Sequence, residues 1–429
     1  MRGSFHTARR PFFGIFPTRL RYTLLPEISA GPAEEVAAPR KAFYFVDQPY
    51  DGARLRLAPG TPVRRGEPLA PFAGIFARAI ATVSGVIESV TPAVSPRGRK
   101  VTRIAVASRQ PEEWDEGLGK TPDLEKALCY LGDSPGGLDL PGLTDPFHAI
   151  HCLVVLCADQ DLMVTSTQQV AMARSRDVAL GIAALKEMTG IGRVEAAIPK
   201  SMAKTAAAWE VPVKVLSSSY PEASPALVLK RHYNVTPAAG APLRRYGFGF
   251  ASAEAVAAVG AAFRTGRPRG EKVLTLIPKD LTERPVNFRV RVGTPVRDVL
   301  AAGRVVVRDG DRVILGGPLT GYAAADLDEP VTPVTSAVMI EDADRLAAVD
   351  DAACMNCGEC VRICPARVPV NMLIRYLEGG LWDEAARRYD LLSCLDCGLC
   401  SLVCPARIPV FQHIALGKLE YEKTLAVKD

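Results

Sequence analysis

The sequence predicts a multidomain protein of α/β and β units that closes in a small, cysteine-rich helical module. Three observations predict it. Short strand signals crowd residues 40–108, strand and helix patterns alternate from about 120 to 270, and eight of the 11 cysteines lie at or beyond residue 354. A chain of 429 residues has room for several domains with at least one sizeable core. Its 48% hydrophobic and 23% charged residues are ordinary for a soluble globular protein. No window approaches the ~18 uninterrupted apolar residues of a membrane helix, and the N-terminus lacks the pattern of a secretory signal. A net charge of +5 is too modest to argue for nucleic acid, so no nucleic-acid partner is expected.

Residues 1–39 read as a basic, aromatic N-terminal arm. Its first part carries Arg2, Arg9, Arg10, Arg19 and Arg21 among Phe5, Phe12, Phe13 and Phe16, with no acid. Such a segment suits anionic lipid or a membrane-bound partner, or an arm lying over its own domain. Pro11 and Pro17 argue against one continuous amphipathic helix.

Residues 40–110 carry Leu55, Leu57, Pro59-Gly60, Val63, Gly66 and Leu69, then Ile80, Val83, Ser84-Gly85, Val86, Ile87 and Val90, and finally Val101 to Val106. These are strands punctuated by turns. The arrangement is similar to the sandwich of biotinyl and lipoyl carrier domains, a barrel-sandwich hybrid. A carrier needs a lysine at the hairpin tip, and residues 66–84 contain none.

Residues 120–270 alternate. Leu153–Leu156, Val194–Ile198 and Val213–Leu216 read as strands, with helices over 167–189 and 200–209. That pattern predicts a Rossmann-like α/β domain with a parallel sheet. Ligands of such sheets bind beyond the carboxyl ends of strands, here the segments after Leu156 and Leu216. Residues 271–345 return to strands at Val273–Ile277, Phe288–Val292 and Arg312–Leu315, with a helix over Val296–Leu300 and a tight Gly316-Gly317-Pro318 loop. A small β-grasp (SLBB-like) domain is the expectation.

Residues 346–429 hold the strongest signal. Cys354, Cys357, Cys360, Cys364 and Pro365 recur as Cys394, Cys397, Cys400, Cys404 and Pro405. Both runs are C-x2-C-x2-C-x3-C-P, the ligand run of two-cluster ferredoxins. Three thiolates on a tight loop wrap three irons of a cubane, and the fourth iron needs a ligand from elsewhere. Gly358 and Gly398 let backbone pass close to the cluster, and the proline turns the chain away. In such pairs the fourth cysteine crosses to the other cluster. The expected ligand sets are therefore Cys354, Cys357, Cys360 and Cys404 for one [4Fe–4S] cluster, and Cys394, Cys397, Cys400 and Cys364 for the second. Structural zinc pairs C-x2-C units rather than two identical quartets ending in Cys-Pro. Between the quartets Val370, Leu373, Ile374 and Leu377 predict a helix, and Leu381, Ala385, Tyr389 and Leu392 a second. An α-helical ferredoxin with two [4Fe–4S] clusters is expected, and its chemistry is single-electron transfer. Cys129, Cys152 and Cys157 read as small buried hydrophobes. His148 and His151 beside Cys152 are too little for a metal, and Trp382 reads as packing.

The order of these parts resembles the C subunit of the Rnf electron-transport complex, with the A subunit of the sodium-pumping NADH–quinone reductase as a relative. The stretches that carry the likeness are "GTPVRRGEPLA", "SSSYPEASPALVLK", "NFRVRVGTPVRDVL", "VILGGPLTG" and "EPVTPVTS". The resemblance implies an iron–sulfur subunit on the cytoplasmic side of the inner membrane. It would be peripheral, working with membrane-embedded subunits and a soluble electron donor or acceptor protein. It also implies electrons from NADH through FMN. At that point the sequence departs from the family. The family's glycine-rich loop, G-x-G-G-A-G-F-P-T, has its counterpart at Gly132–Gly142, where Gly136 and Gly137 remain and Asp139 replaces a glycine. Its N-G-A-E-C-E-P-Y stretch aligns with Leu156–Met163, keeping acids only as Asp159 and Asp161. Gly136, Gly137, Asp159 and Asp161 are thus the candidate FMN or NADH residues. The departure favours a chain whose α/β domain is a docking scaffold and whose partners supply the flavin. The competing expectations are a self-sufficient NADH-oxidising protein with its own FMN, and a scaffold whose clusters only hold the fold.

Overall fold

The computed structural model describes residues 20–25, 31–73, 79–95, 98–346 and 353–426. Among them, four sheets and a C-terminal helical module are arranged in chain order.

In the front unit, Lys41–Val46, Lys100–Ser108, Gly85–Val94 and Pro62–Val63 lie side by side and antiparallel. Alternation sends Ala42, Tyr44 and Val46 inward against Ile104 and Val106. A two-stranded ladder of Pro68–Leu69 with Ala79–Ile80 closes over the same core.

The central sheet is parallel, in the spatial order Val213–Leu216, Arg193–Pro199, Cys152–Leu156, Phe248–Ser252. All five residues of Cys152–Leu156 are buried, as a strand covered on both faces must be. The helix expected over 167–189 is two helices, Ser166–Ala173 and Ser175–Thr189, because Arg174 leaves the helical region at ψ 32°. The helix expected over 200–209 is broken into a single α turn, Ala203–Ala206, between short 3-10 segments. Sequence pattern missed the strand Phe248–Ser252 and the helix Ala253–Thr265. That helix is buried nearly all round, so it has no polar face to mark its period.

Two glycines let this helix and Ser175–Thr189 touch backbone to backbone. A Cβ on Gly181 would stand 1.9 Å from the Val256 carbonyl oxygen, and one on Gly260 would stand 2.0 Å from that of Asp177. No side chain fits there.

The third sheet is mixed, in the order Glu34–Glu35, Val286–Arg291, Glu271–Ile277, Ala337–Glu341, Arg312–Leu315, Tyr322–Ala323, with Val296–Ala302 packed against it. Lys272 on this sheet and Glu254 at the start of helix Ala253–Thr265 form a buried ion pair at 3.0 Å. Glu254 also accepts from the Val273 N–H at 2.7 Å, so neither charge is left unsatisfied between the two sheets.

Of the expected N-terminal arm, residues 20–25 and 31–39 are described. Arg2, Arg9, Arg10 and Arg19, with Phe5, Phe12, Phe13 and Phe16, lie outside the described residues. Beyond them Tyr22 is buried, its N–H bonds the Ser218 carbonyl at 2.9 Å, and Glu34–Glu35 forms an edge strand of the third sheet. This stretch is structural, joined to partners about 200 and 250 residues away in sequence.

The C-terminal module is helical: Glu359–Ile363, Val370–Glu378, Trp382–Arg388, Leu399–Leu402 and Val410–Ala426. Leu373, Ile374, Leu377, Ala385, Leu391 and Ile414 form its core, against which cysteines of both quartets pack. No helix among the described residues is long and apolar enough to cross a membrane.

Replacing Gly260 with leucine is expected to cost about 3 kcal/mol or more, since the clash is with backbone. Gly192→Ala, with nothing within 4 Å of the new Cβ, is expected to change stability by less than about 0.5 kcal/mol. Urea unfolding midpoints of the two variants check the contrast.

Candidate metal centres

The cysteine repeat is also a backbone repeat. Residues 354–370, CMNCGECVRICPARVPV, and 394–410, CLDCGLCSLVCPARIPV, are identical at 10 of 17 positions. Asn356 and Asp396 are left-handed at φ 57° and 53°, Gly358 and Gly398 at 76° and 69°, and Arg367 and Arg407 at 60° and 55°. A short helix starts after each glycine. After each Cys-Pro the chain reverses through matching bonds, Arg367 N–H to the Cys364 carbonyl at 3.1 Å and Arg407 N–H to the Cys404 carbonyl at 3.2 Å.

Two cavities result. One, of about 370 Å³ including its open mouth, is lined by Cys364, Cys394, Cys397 and Cys400. The other, of about 380 Å³, is lined by Cys354, Cys357, Cys360 and Cys404. In each, three thiols come from one run and the fourth from the other. Val370 lines the first cavity and Ile374, about one turn further along the same helix, the second, so the sites are neighbours. No disulfide joins any of these cysteines. A single zinc would draw four sulfurs to about 2.3 Å from one point. Thiols spread around a void, with apolar walls between them, suit a multi-iron cluster instead.

Burial pushes the Cys394 thiol up to about 12, despite the nearby Lys418 ammonium. It pushes Cys360 and Cys397 up to about 11 and raises Cys400 as well. Thiolate is the ligand form, so protons compete with iron at every pH below these values.

The candidate flavin and nucleotide residues are all engaged with protein. Gly136 donates to the Pro333 carbonyl at 2.8 Å, and its own carbonyl accepts from the Ser252 hydroxyl at 3.0 Å. A Cβ on it would stand 2.5 Å from the Ala255 nitrogen, at the start of helix Ala253–Thr265. Gly137 lies against Val334. Asp139, the residue that departs from the family loop, caps its own short helix by accepting from Gly142 N–H at 3.0 Å. Asp159 is buried and accepts from Thr167 N–H, the Ser166 hydroxyl and the Gln168 amide, at 2.7, 3.1 and 3.1 Å. Asp161 is buried too. It accepts from the N–H groups of Leu162, Leu319 and Thr320 and from the Thr320 hydroxyl. Burial raises the pKa of both acids and these donors oppose it.

Residues not singled out by sequence complete the picture. The Tyr220 hydroxyl donates to the Cys397 carbonyl at 2.7 Å. The Leu319 carbonyl oxygen lies 2.2 Å from where a Gly398 Cβ would be, so only glycine fits under it. Lys418 donates to the Cys394 carbonyl at 2.9 Å and pairs with Asp396 at 2.8 Å. Their only sequence signal was position, since Tyr220 follows a strand end and Leu319 sits in a glycine-bounded loop. Cys152 and Cys157 are buried and Cys129 is partly so, with His148 bonded to Asp145 at 3.0 Å rather than to a thiol.

Iron and sulfide uptake, followed by the charge-transfer absorbance, is expected to grow as pH rises from about 6.5 to about 8.5, because fewer protons must be displaced. Uptake independent of pH would contradict the buried-thiol argument. Asp161→Ala is expected to cost about 3 kcal/mol by orphaning the N–H groups of Leu319 and Thr320, read from denaturant unfolding.

A family model described as a 4Fe-4S dicluster domain matches residues 353–408, which contain all eight repeat cysteines. The chain is 26% identical over 358 residues to the C subunit of the ion-translocating oxidoreductase complex of Edwardsiella ictaluri, covering 77% of this chain and 44% of that protein. It is 29% identical to the corresponding C subunit of Pseudomonas aeruginosa, over 73% of this chain and 43% of that one. It is 24% identical to the C subunit of the proton-translocating ferredoxin:NAD(+) oxidoreductase complex of Clostridium ljungdahlii, over 84% of each. The chain thus spans less than half the length of the Edwardsiella and Pseudomonas relatives. Among solved structures, an NAD+-reducing [NiFe]-hydrogenase aligns at a TM-score of 0.39 and 13% identity, over 63% of this chain and 54% of that one. A dicluster domain model matches its C-terminal end, and along most of its length the chain is similar to the C subunits of ion-translocating oxidoreductase complexes.

Proposed function

We propose that this protein is the iron–sulfur electron-transfer subunit of a membrane-associated oxidoreductase complex. It relays single electrons through two [4Fe–4S] clusters between a soluble redox partner and membrane-embedded subunits. One observation carries the reading: two neighbouring four-thiol cavities, each completed by a cysteine from the opposite run, within one helical core. Cys354, Cys357, Cys360 and Cys404 would hold one cluster, and Cys364, Cys394, Cys397 and Cys400 the other. When bound, such clusters supply reversible one-electron chemistry. The chain's own contribution is to hold the ligands, exclude water with residues such as Val370, Ile374 and Ile414, and keep the two sites adjacent.

In this reading the front unit, residues 40–110, is a barrel-sandwich hybrid without a carrier lysine, and residues 271–345 are a β-grasp unit. Residues 120–270 are a Rossmann-like scaffold whose flavin comes from a partner. The engagement of Gly136, Asp159 and Asp161 with protein groups supports that last point. The relatives' names, together with thiols that need a reducing compartment, support a peripheral place on the cytoplasmic face of the inner membrane.

Anaerobic reconstitution should give about eight irons per chain and EPR signals that appear on reduction. The double variant Cys357→Ser/Cys404→Ser should keep about four irons, whereas Cys357→Ser/Cys364→Ser should lose both clusters. Equal iron content in the two variants would refute the crossed ligand sets. Stoichiometric FMN in the purified protein, with cluster bleaching by NADH, would overturn the scaffold reading of the α/β domain.

A further inference from the structure

The cysteine repeat contains its own control. Its halves share cysteine spacing and backbone and differ mainly at Glu359 against Leu399, Val361 against Ser401 and Arg362 against Leu402, so their surroundings can be compared position by position. Among the described residues the first loop is the more open of the two, with Cys354 and Cys360 half-buried. Met355 is 63% exposed, Cys357 is exposed, and a Cβ on Gly358 would meet nothing within 4 Å. The Asn371 amide bonds Asn356 locally at 2.8 Å, and further along the run Ile363 packs against the apolar cluster of Leu156 and Leu216.

The second loop is enclosed. Leu399 and Cys400 are 4% and 9% exposed. Tyr220 holds the Cys397 carbonyl, Leu319 presses on Gly398, and Lys418 grips Cys394 and Asp396. Two of these three contacts come from outside the helical module. Leu319 is itself fixed by Asp161, at the carboxyl end of strand Cys152–Leu156, and Tyr220 follows strand Val213–Leu216. Tyr220 and Leu399 share one apolar cluster with Leu156 and Leu216, with Leu319 and Cys397 packed against it.

We infer that the two cluster sites are unequal by construction: the site of Cys354, Cys357, Cys360 and Cys404 is the outer port at which a soluble redox partner exchanges electrons with the chain, and the site of Cys364, Cys394, Cys397 and Cys400 is an inner one, closed to small diffusing reagents by Tyr220 and Leu319. The inference rests on the reading that both sites hold [4Fe–4S] clusters, and it adds their order and the residues that impose it. An electron from a diffusing donor reduces the outer cluster first and reaches the inner cluster from it. Each cluster gains or loses a single electron in these steps, with no bond made or broken. Tyr220 and Leu319 are positioning residues, since they act on the loop that carries Cys397.

The test uses the reconstituted full chain under anaerobic conditions, challenged with the iron chelator bathophenanthroline disulfonate. Iron content is measured first. A chain that never reaches about eight irons fails the proposed function itself, before the order of the clusters is at issue. In the loaded protein about half the iron should leave in a fast phase and half at least ~10-fold more slowly, since stripping the enclosed site needs local opening. Cys357→Ser/Cys404→Ser should abolish the fast phase. Tyr220→Phe, which removes one hydroxyl, and Tyr220→Phe/Leu319→Gly should speed the slow phase and leave the fast one unchanged. A soluble chromium(III) complex should relax the EPR signal of the outer cluster and spare that of the inner one. Release of all the iron in one phase, or a fast phase that survives in Cys357→Ser/Cys404→Ser, would overturn the inference. So would a slow phase unmoved in Tyr220→Phe/Leu319→Gly, or equal relaxation of both signals.

Discussion

The contact of Tyr220, Leu319 and Leu399 is the constraint on which the rest of this architecture depends. A parallel sheet leaves its carboxyl edge open, and in most such folds a ligand fills the crevice. Here protein fills it. The loop after Leu156 spends its acids on the backbone of Leu319 and Thr320 and on the start of helix Ser166–Ala173. The loop after Leu216 sends Tyr220 to the Cys397 carbonyl. Apolar side chains from the sheet, the third unit and the cysteine module then meet in one cluster. The second cysteine loop is seated against this edge.

Contacts within the protein also engage the residues that depart from the family's loop. Asp139 in place of a glycine is unfavourable beside a phosphate, yet suits a helix cap. Asp159 and Asp161 each satisfy several buried N–H or hydroxyl donors.

The cysteine module was the most legible part of the sequence, because metal chemistry fixes both residue type and spacing. The helix after the first run was legible too, since Val370, Leu373, Ile374 and Leu377 make one apolar stripe and all are buried. Strands of the central sheet showed as short apolar runs. Helix Ala253–Thr265 did not show, because a helix buried on every side loses the periodicity that marks one. The two-residue strand Glu34–Glu35 was illegible for another reason: its identity comes from a partner in the third sheet, not from its own residues. Tyr220 and Leu319 were hidden similarly. Each lay in a stretch that looked familiar, but only the folded chain brings both to the second cysteine loop.

The pairing of Glu34–Glu35 with Val286–Arg291 has a consequence for how the molecule comes into being. Contacts that span so much sequence close late, after a large loop entropy has been met. A ribosome must deliver most of the chain before that sheet edge, or the seat for the cysteine module, can form. Vectorial synthesis therefore sets an order, scaffold first and cluster-bearing module last, so that cofactor insertion meets a surface already prepared to receive it.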